Sequence, residues 1–247
     1  MKAEPEIQLR LLDLQALDSR LDRLAHRRRT LPEHAELERL DARLDELRDA
    51  VVAAQTEDED AARDQSKAEA DVEQVRSRAA RDQQRLDAGS VGSAKELESL
   101  QHELGSLAKR QSDLEEVVLE VMERREDAQK RLASTSEERD RLTAERDQVD
   151  ARRQEAFTEI DAETASTTAE RKTISADVPQ DLLALYERLR EQNSGVGAAA
   201  LHRRRCEGCR LELTPSDIGR LRDAAPDEVL RCEECRRILV RTADSGL

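Results

Sequence analysis

The chain has 247 residues, of which 40% are charged and 1% aromatic, with one Phe, one Tyr and no Trp. Apolar residues reach 37% only when Ala is counted, which leaves too few large side chains for the interior of a conventional α/β enzyme of this length. A net charge of −14 also argues against a protein coated in nucleic acid along its length, so long helix or disorder remains, and residue order separates the two.

The N-terminus, Met1-Lys2-Ala3-Glu4-Pro5-Glu6, carries acid at once and leads to no apolar run, so no signal peptide is expected. Nothing approaches the roughly 20 apolar residues of a bilayer span. The expectation is a cytoplasmic chain without membrane contact.

The first helical pattern runs Ile7, Leu14, Leu17, Leu21, Leu24, Leu31. It is one residue out of step with the heptads that begin at Leu37, and Leu31-Pro32-Glu33 stands at the join. Proline lacks an amide and clashes with the preceding turn, which predicts a kink or restart near residue 32.

From Leu37 a seven-residue repeat takes over. One register reads Leu37, Leu44, Val51, Asp58, Gln65, Val72, Ala79, Leu86, and its companion Leu40, Leu47, Ala54, Ala61, Ala68, Val75, Asp82. All but Asp58, Gln65 and Asp82 are apolar. Alternating steps of three and four put these side chains on one stripe of a helix, a coiled-coil seam, with charge on the other faces.

Ala88-Gly89-Ser90-Val91-Gly92-Ser93 interrupts the repeat. Gly89 is suited to end one helix at positive φ, and Ser93 to cap the next with Glu96 at capping-box spacing. A second repeat begins with Leu97, Leu100, Leu104 and Leu107 and continues to Ile174, weakened by arginines at 125, 139, 146 and 153. Two long helices joined by so short a turn must run antiparallel. Segment 33–88 is predicted to lie on 93–148 over roughly 80 Å, and segment 6–30 on 150–175. Val178-Pro179 ends the second helix. A short helix over 180–192 comes next, with Leu182, Leu185, Tyr186 and Leu189 on one face, then a flexible boundary at Asn193-Ser194-Gly195-Val196-Gly197. The fold expected is mainly α, a long antiparallel coiled-coil hairpin over 1–177, a short helix and linker over 178–197, and a small zinc-binding module over 198–247.

That last assignment rests on Cys206-Glu-Gly-Cys209, 22 residues, then Cys232-Glu-Glu-Cys235. A two-residue gap lets both thiolates of one turn reach one ion. Four such ligands complete a tetrahedral Zn²⁺ shell and leave no position open for water, so the single zinc expected is structural. The apolar residues beside it are too few to fold about 45 residues unaided. Free surface thiols and a redox CxxC are the competing readings; two pairs within thirty residues fit metal better.

Elsewhere the chemistry is thin. His26, His34 and His102 are isolated on helices, His202 is a bystander beside a filled cysteine shell, and no P-loop, dinucleotide fingerprint or nucleophile motif is present. No catalysis and no small-molecule substrate are expected. Basic residues gather near the cysteines, including Arg203, Arg204, Arg205, Arg236 and Arg237, so that residues 201–247 balance at +1 against −15 for 1–200. This is either a phosphate- or acid-binding face or an ordinary solvated surface.

The apex Gly89-Ser-Val-Gly-Ser-Ala-Lys95-Glu96-Leu97-Glu98-Ser99-Leu100-Gln101-His102-Glu103, the segments Leu182-Leu183 and Tyr186-Glu187-Arg188-Leu189-Arg190, and the two cysteine pairs followed by Arg-Arg-Ile-Leu-Val together resemble a bacterial family that joins a long coiled-coil hairpin to a C-terminal four-cysteine zinc ribbon. The resemblance covers nearly the whole chain. It implies a ribbon of short β-hairpins and zinc ligation by Cys206, Cys209, Cys232 and Cys235. It also implies an adaptor-like role, since some relatives bind the alternative sigma factor sigma-54 and one type also binds flagellar messenger RNA; no residue here identifies the sigma contact. The expected partner is a protein, met through the apex at Lys95, Glu96, Gln101 and Glu103 or through the ribbon with the short helix, in a role tied to transcription. Nucleic-acid binding through Arg203, Arg204, Arg205, Arg236 and Arg237 is the alternative. The chain departs from the family at Arg236, where glycine often follows the last cysteine and the knuckle turn favours positive φ.

Overall fold

A computed structural model describes all residues 1–247 and divides into two compact units, Ala35–Asp150 and Met1–His34 with Ala151–Leu247. Four helices carry most of the chain: α1 (Pro5–Arg29), α2 (Pro32–Asp87), α3 (Ala94–Ala176) and α4 (Gln180–Gln192). Strands β1 (Ala198–His202), β2 (Arg205–Cys206), β3 (Leu230–Arg231) and β4 (Ile238–Arg241), with helix α5 (Pro215–Asp223) between β2 and β3, make up the rest.

The unit Ala35–Asp150 is two antiparallel helices and one turn. All fifteen seam positions of α2 are buried or half-buried while nearly all their neighbours are exposed, so a one-stripe core suffices. The turn closes as its residues dictate. Gly89 sits at φ 64°; its N–H donates to Leu86 O (3.1 Å) and that of Ser90 to Arg85 O (3.3 Å), the paired bonds of a Schellman end. Ser93 Oγ accepts from the Glu96 N–H at 3.2 Å, and Glu96 reaches back to the Gly92 N–H at 3.0 Å. Leu97, the first seam residue expected after the turn, is instead 39% exposed, because the helix pair closes only from Leu100 onward.

Two of the three polar seam positions of α2, Asp58 and Gln65, meet a partner in the other helix. Arg125 of α3 donates to Gln65 Oε1 at 3.0 Å and lies 3.7 Å from Asp58 Oδ1. What reads as two faults in one helix and one in the other is a single polar layer, the kind that fixes pairing register. Flanking ion pairs, Arg43–Glu138 at 3.0 Å, Arg131–Glu57 at 2.9 Å and Arg76–Glu115 at 2.7 Å, are solvent-screened and individually weak but reward only this alignment.

In the other unit α1 runs along the C-terminal part of α3, tied by Arg20–Glu163 and Arg27–Glu159. The break between α1 and α2 falls at Thr30–Leu31, with Pro32 as the first residue of the next helix. Leu31 drops into a cluster with Leu24, Ile160 and Phe157, and the Arg28 guanidinium lies 4.2 Å from the Phe157 ring centroid. The buried face of α1 is wider than a leucine heptad: Gln8, Leu11, Leu14, Gln15, Asp18 and Leu24 are all buried. The reason is that α1 meets α4 and the sheet as well as α3.

The sheet has order β2-β1-β4-β3, with β1 and β4 parallel and both outer pairs antiparallel. Its alternation serves two cores. Ala198, Ile238 and Val240 pack on Leu11, Leu14, Leu182, Tyr186 and Leu189. Ala199, Leu201 and Leu239 face Ile218 and Leu221 of α5 and the buried thiols. The N-terminus joins this ribbon: Ala3 N–H donates to Asp227 O (2.7 Å), Val229 N–H to Met1 O (3.1 Å), and Lys2 pairs with Asp227 at 2.9 Å.

The boundary after α4 is tied down, contrary to the flexible linker expected from its glycines. Gln15 is the clamp. Its Nε2 donates to Gly195 O (2.8 Å) and its Oε1 accepts from the Gly197 N–H (2.7 Å). Gly197 is glycine for want of space: a Cβ there would stand 2.5 Å from the Tyr186 carbonyl oxygen and 2.9 Å from its ring. Gly197→Ala is therefore expected to destabilise the chain by about 1–3 kcal/mol as the strand shifts off α4. An unchanged thermal unfolding midpoint would contradict this packing.

Candidate metal centre

Two turns of the ribbon bring the four cysteines together. In the first, the Cys206 N–H donates to Leu211 O (3.0 Å) and the Arg210 N–H returns to Cys206 O (2.7 Å); in the second, the Cys232 N–H donates to Arg237 O (3.0 Å) and the Arg236 N–H to Cys232 O (2.9 Å). The two knuckles thus share one backbone pattern. Arg210 and Arg236 hold the same position in each, both at φ 62°. The second knuckle forms without the glycine that relatives often place there, with Arg236 in the left-handed region. Such a residue costs ~1–2 kcal/mol, partly returned in the unfolded state where glycine is the looser chain. Arg236→Gly should stabilise the ribbon by about 0.5 kcal/mol after loss of its exposed contact with Glu233. A lowered unfolding midpoint would show that the arginine side chain matters more than its strain.

The four sulfurs all lie within 4.8 Å of one another. Cys206 and Cys235 Sγ are 3.9 Å apart, as are Cys209 and Cys232 Sγ. A tetrahedral ion with Zn–S bonds of ~2.3 Å needs sulfurs roughly 3.8 Å apart, so the cage fits zinc with little adjustment. Cys206 and Cys232 are buried and the other two half-buried. Burial pushes the Cys206 thiol up, offset in part by the Cys209 and Gly208 N–H groups. Burial acts on Cys235 too, but the Arg237 N–H and guanidinium and neighbouring thiols bring it down to about 7. The four cysteines would hold zinc as thiolates, so binding would release protons. The centre holds one structural zinc.

The surrounding arginines divide by what they touch. Arg237 turns inward and donates to Val196 O (3.0 Å) and Asn193 O (3.1 Å), so it joins the second knuckle to the end of α4. Arg241 donates to the carbonyls of Leu221, Ala224, Ala225, Pro226 and Glu228, closing the C-terminus of α5. Arg236 pairs with Glu233. Arg203, Arg204 and Arg205 stay exposed at the β1–β2 turn, with Arg203 at φ 46° and Arg204 at φ 65°; Arg204 also donates to Gly246 O at 3.3 Å. At the apex, Lys95 and Gln101 are exposed, Glu96 is engaged in the cap and Glu103 pairs with Arg78.

Sequence reasoning missed the polar cluster that seats the ribbon. Asp18 is 1% exposed; its carboxylate accepts from Arg171 Nε (2.6 Å) and the Tyr186 hydroxyl (2.7 Å), with Arg190 Nε at 3.6 Å. Burial, then donation to Asp18, pushes the Tyr186 hydroxyl well above the usual tyrosine range and keeps it a donor. The available signal was Gln15 and Asp18 spaced on one face with Leu11 and Leu14.

Comparison with known proteins agrees with this architecture. Residues 14–194 match the CT398-like coiled coil hairpin domain and residues 205–239 the C4-type zinc ribbon domain. The chain is 37% identical over 241 residues to an uncharacterized protein of Mycobacterium tuberculosis, covering 98% of each, and 32% identical over 220 residues to one of Mycobacterium leprae, covering 88% of this chain and 93% of that one. A solved structure from Mycobacterium smegmatis matches with TM-score 0.85 at 36% identity, over 98% of this chain and all of that one. CT398 from Chlamydia trachomatis shares the fold at TM-score 0.66 and 22% identity, over 96% and 98% of the two chains. No helix is long and apolar enough to cross a membrane. With a hairpin model matched over most of its length and mycobacterial relatives along nearly all of it, the chain belongs to the CT398-like coiled-coil hairpin family.

Proposed function

We propose that this chain is a non-enzymatic cytoplasmic adaptor that presents its helical hairpin and its zinc ribbon to a protein partner, with the transcription machinery as the first class to test on the strength of the family resemblance. The observation that carries this reading is where the chain invests its residues. In Ala35–Asp150 two helices bury only a narrow seam to hold one ordered turn, and the cysteine cage is filled by its own four ligands, so the metal supports structure rather than a reaction. Lys95 and Gln101 stand free beside the turn. The test is affinity capture from native extract with the intact chain, with Lys95→Ala/Gln101→Ala, and with a chain lacking residues 198–247. Loss of specific partners in either variant is expected; an unchanged partner set in both would sink the proposal.

A second reading is favoured by one observation, the three consecutive exposed arginines at a turn whose first two residues take left-handed conformations. Direct binding of nucleic acid there predicts affinity that falls steeply with salt and is lost in Arg203→Ala/Arg204→Ala/Arg205→Ala. Absence of binding to DNA and RNA at low salt would eliminate it.

A further inference from the structure

In the hairpin Ala35–Asp150 two exposed apolar side chains stand one helical turn apart beside the seam. Leu119 is 61% exposed and Met122 45%. One helical turn apart on α3, they extend the half-buried Val118 sideways onto a flank of the helix pair. Two clefts lie on either side of Leu119. One, of about 300 Å³, has Val72 and Val118 as its apolar wall. The other, of about 460 Å³, runs from Leu119 past Met122 to Gln129. On α3 the first cleft is lined by Glu115, Val118 and Leu119 and the second by residues from Leu119 to Gln129; at ~1.5 Å per residue this offset of about two turns is roughly the rise between residues i and i+7 on a second helix.

The surroundings define the charge of what fits. From Asp113 to Asp127, seven of fifteen residues are acidic and two basic. Glu69 and Glu115 line the first cleft, and Glu123 and Glu126 the second. Of the cations there, Arg76 is paired with Glu115 at 2.7 Å and Arg125 is turned into the seam against Gln65. An apolar ridge in an acidic border is matched by a helix with an apolar stripe and Lys/Arg flanks. A second copy of this chain would bring the same acidic border against itself.

We propose that this flank, centred on Leu119 and Met122, docks a basic amphipathic helix of a protein partner, its anchors at i, i+3 or i+4, and i+7 filling the clefts on both sides of Leu119. The proposal deepens the adaptor reading and rests on it. The variants that test that reading leave Leu119 in place, so the two fail separately.

The experiment uses the full chain and two fluorescent helical 20-residue peptides with one shared Leu/Ile stripe, one flanked by Lys/Arg and the other by Glu. The Lys/Arg peptide is expected to bind at least about tenfold more tightly, and Leu119→Glu/Met122→Glu to abolish its binding. Both positions are already exposed and Glu is a good helix former, so the variant should keep the parent's unfolding midpoint. Equal affinity for both peptides, no binding of either, or binding indifferent to the double substitution would overturn the proposal. A dimer in sedimentation equilibrium that the same substitution dissociates would also overturn it, by assigning the flank to a second copy.

Discussion

Stripping the zinc is expected to unfold residues 198–247 while the seam of Ala35–Asp150 keeps its protection. The inner core of the ribbon is a handful of residues, among them Ala199, Leu201, Leu213, Ile218, Leu221, Leu230 and Leu239, and the buried thiols Cys206 and Cys232 complete it. Without the ion, four sulfurs within 4.8 Å have nothing to hold two arginine-containing knuckles at positive φ. Structural zinc in small modules contributes on the order of 10–16 kcal/mol in apparent binding, far more than that core supplies. Hydrogen exchange before and after chelation checks the prediction. Amides of β1 to β4 should lose protection, and Cys232→Ser should reproduce the loss. Because zinc binds thiolates, acid should release it in the same sense, with protection falling as pH drops. Ribbon amides that stay protected in the metal-free chain would contradict the assignment.

Asp18→Ala is expected to cost about 2–3 kcal/mol, below the range for a buried charge left wholly unpaired, because Arg171 keeps Glu187 and Arg190 keeps Asp22. The substitution leaves the Arg171 guanidinium, the Tyr186 hydroxyl and nearby Arg190 without their shared carboxylate, and the hydroxyl, fully buried, has no water to replace it. Tyr186→Phe deletes one neutral donor from the same cluster and should cost less, about 1 kcal/mol. Chemical unfolding of the two variants separates these values. Equal small effects would show that α1, α3 and α4 are held by apolar packing alone. Since Gln15, one turn from Asp18, clasps Gly195 and Gly197, the Asp18 variant should also loosen the start of β1.

The hairpin was legible because its information is periodic. Leu37 to Leu86 and Leu100 to Ile174 repeat at a spacing that only a helix seam explains, and Gly89, Ser93 and Glu96 carry their roles in their chemistry. The metal centre was legible for a related reason, since ligand spacing within each knuckle is local. What stayed hidden depends on contacts distant in sequence. Arg125 looks like a defect until Asp58 and Gln65 of the other helix stand beside it. Gln15 and Asp18 look like ordinary solvated residues of α1, and only the backbone of residues 195–197 and the Tyr186 hydroxyl, some 170 residues away, make them interior. Asn193 to Gly197 reads as a loose boundary because glycine signals both freedom and lack of room; at Gly197 the second applies. Arg237 reads as part of a basic face, yet its guanidinium, like that of Arg241, caps carbonyls, a use that composition cannot reveal.

The central claim is that a closed four-cysteine zinc centre organises the end of this chain. The most direct measurement is metal content with cobalt substitution on protein purified without chelator. One zinc per chain is predicted, replaceable by cobalt to give the absorption of a tetrahedral four-thiolate site, and lost on Cys206→Ser or Cys232→Ser. A chain without zinc, or a cobalt spectrum showing a bound water in place of one thiolate, would contradict it.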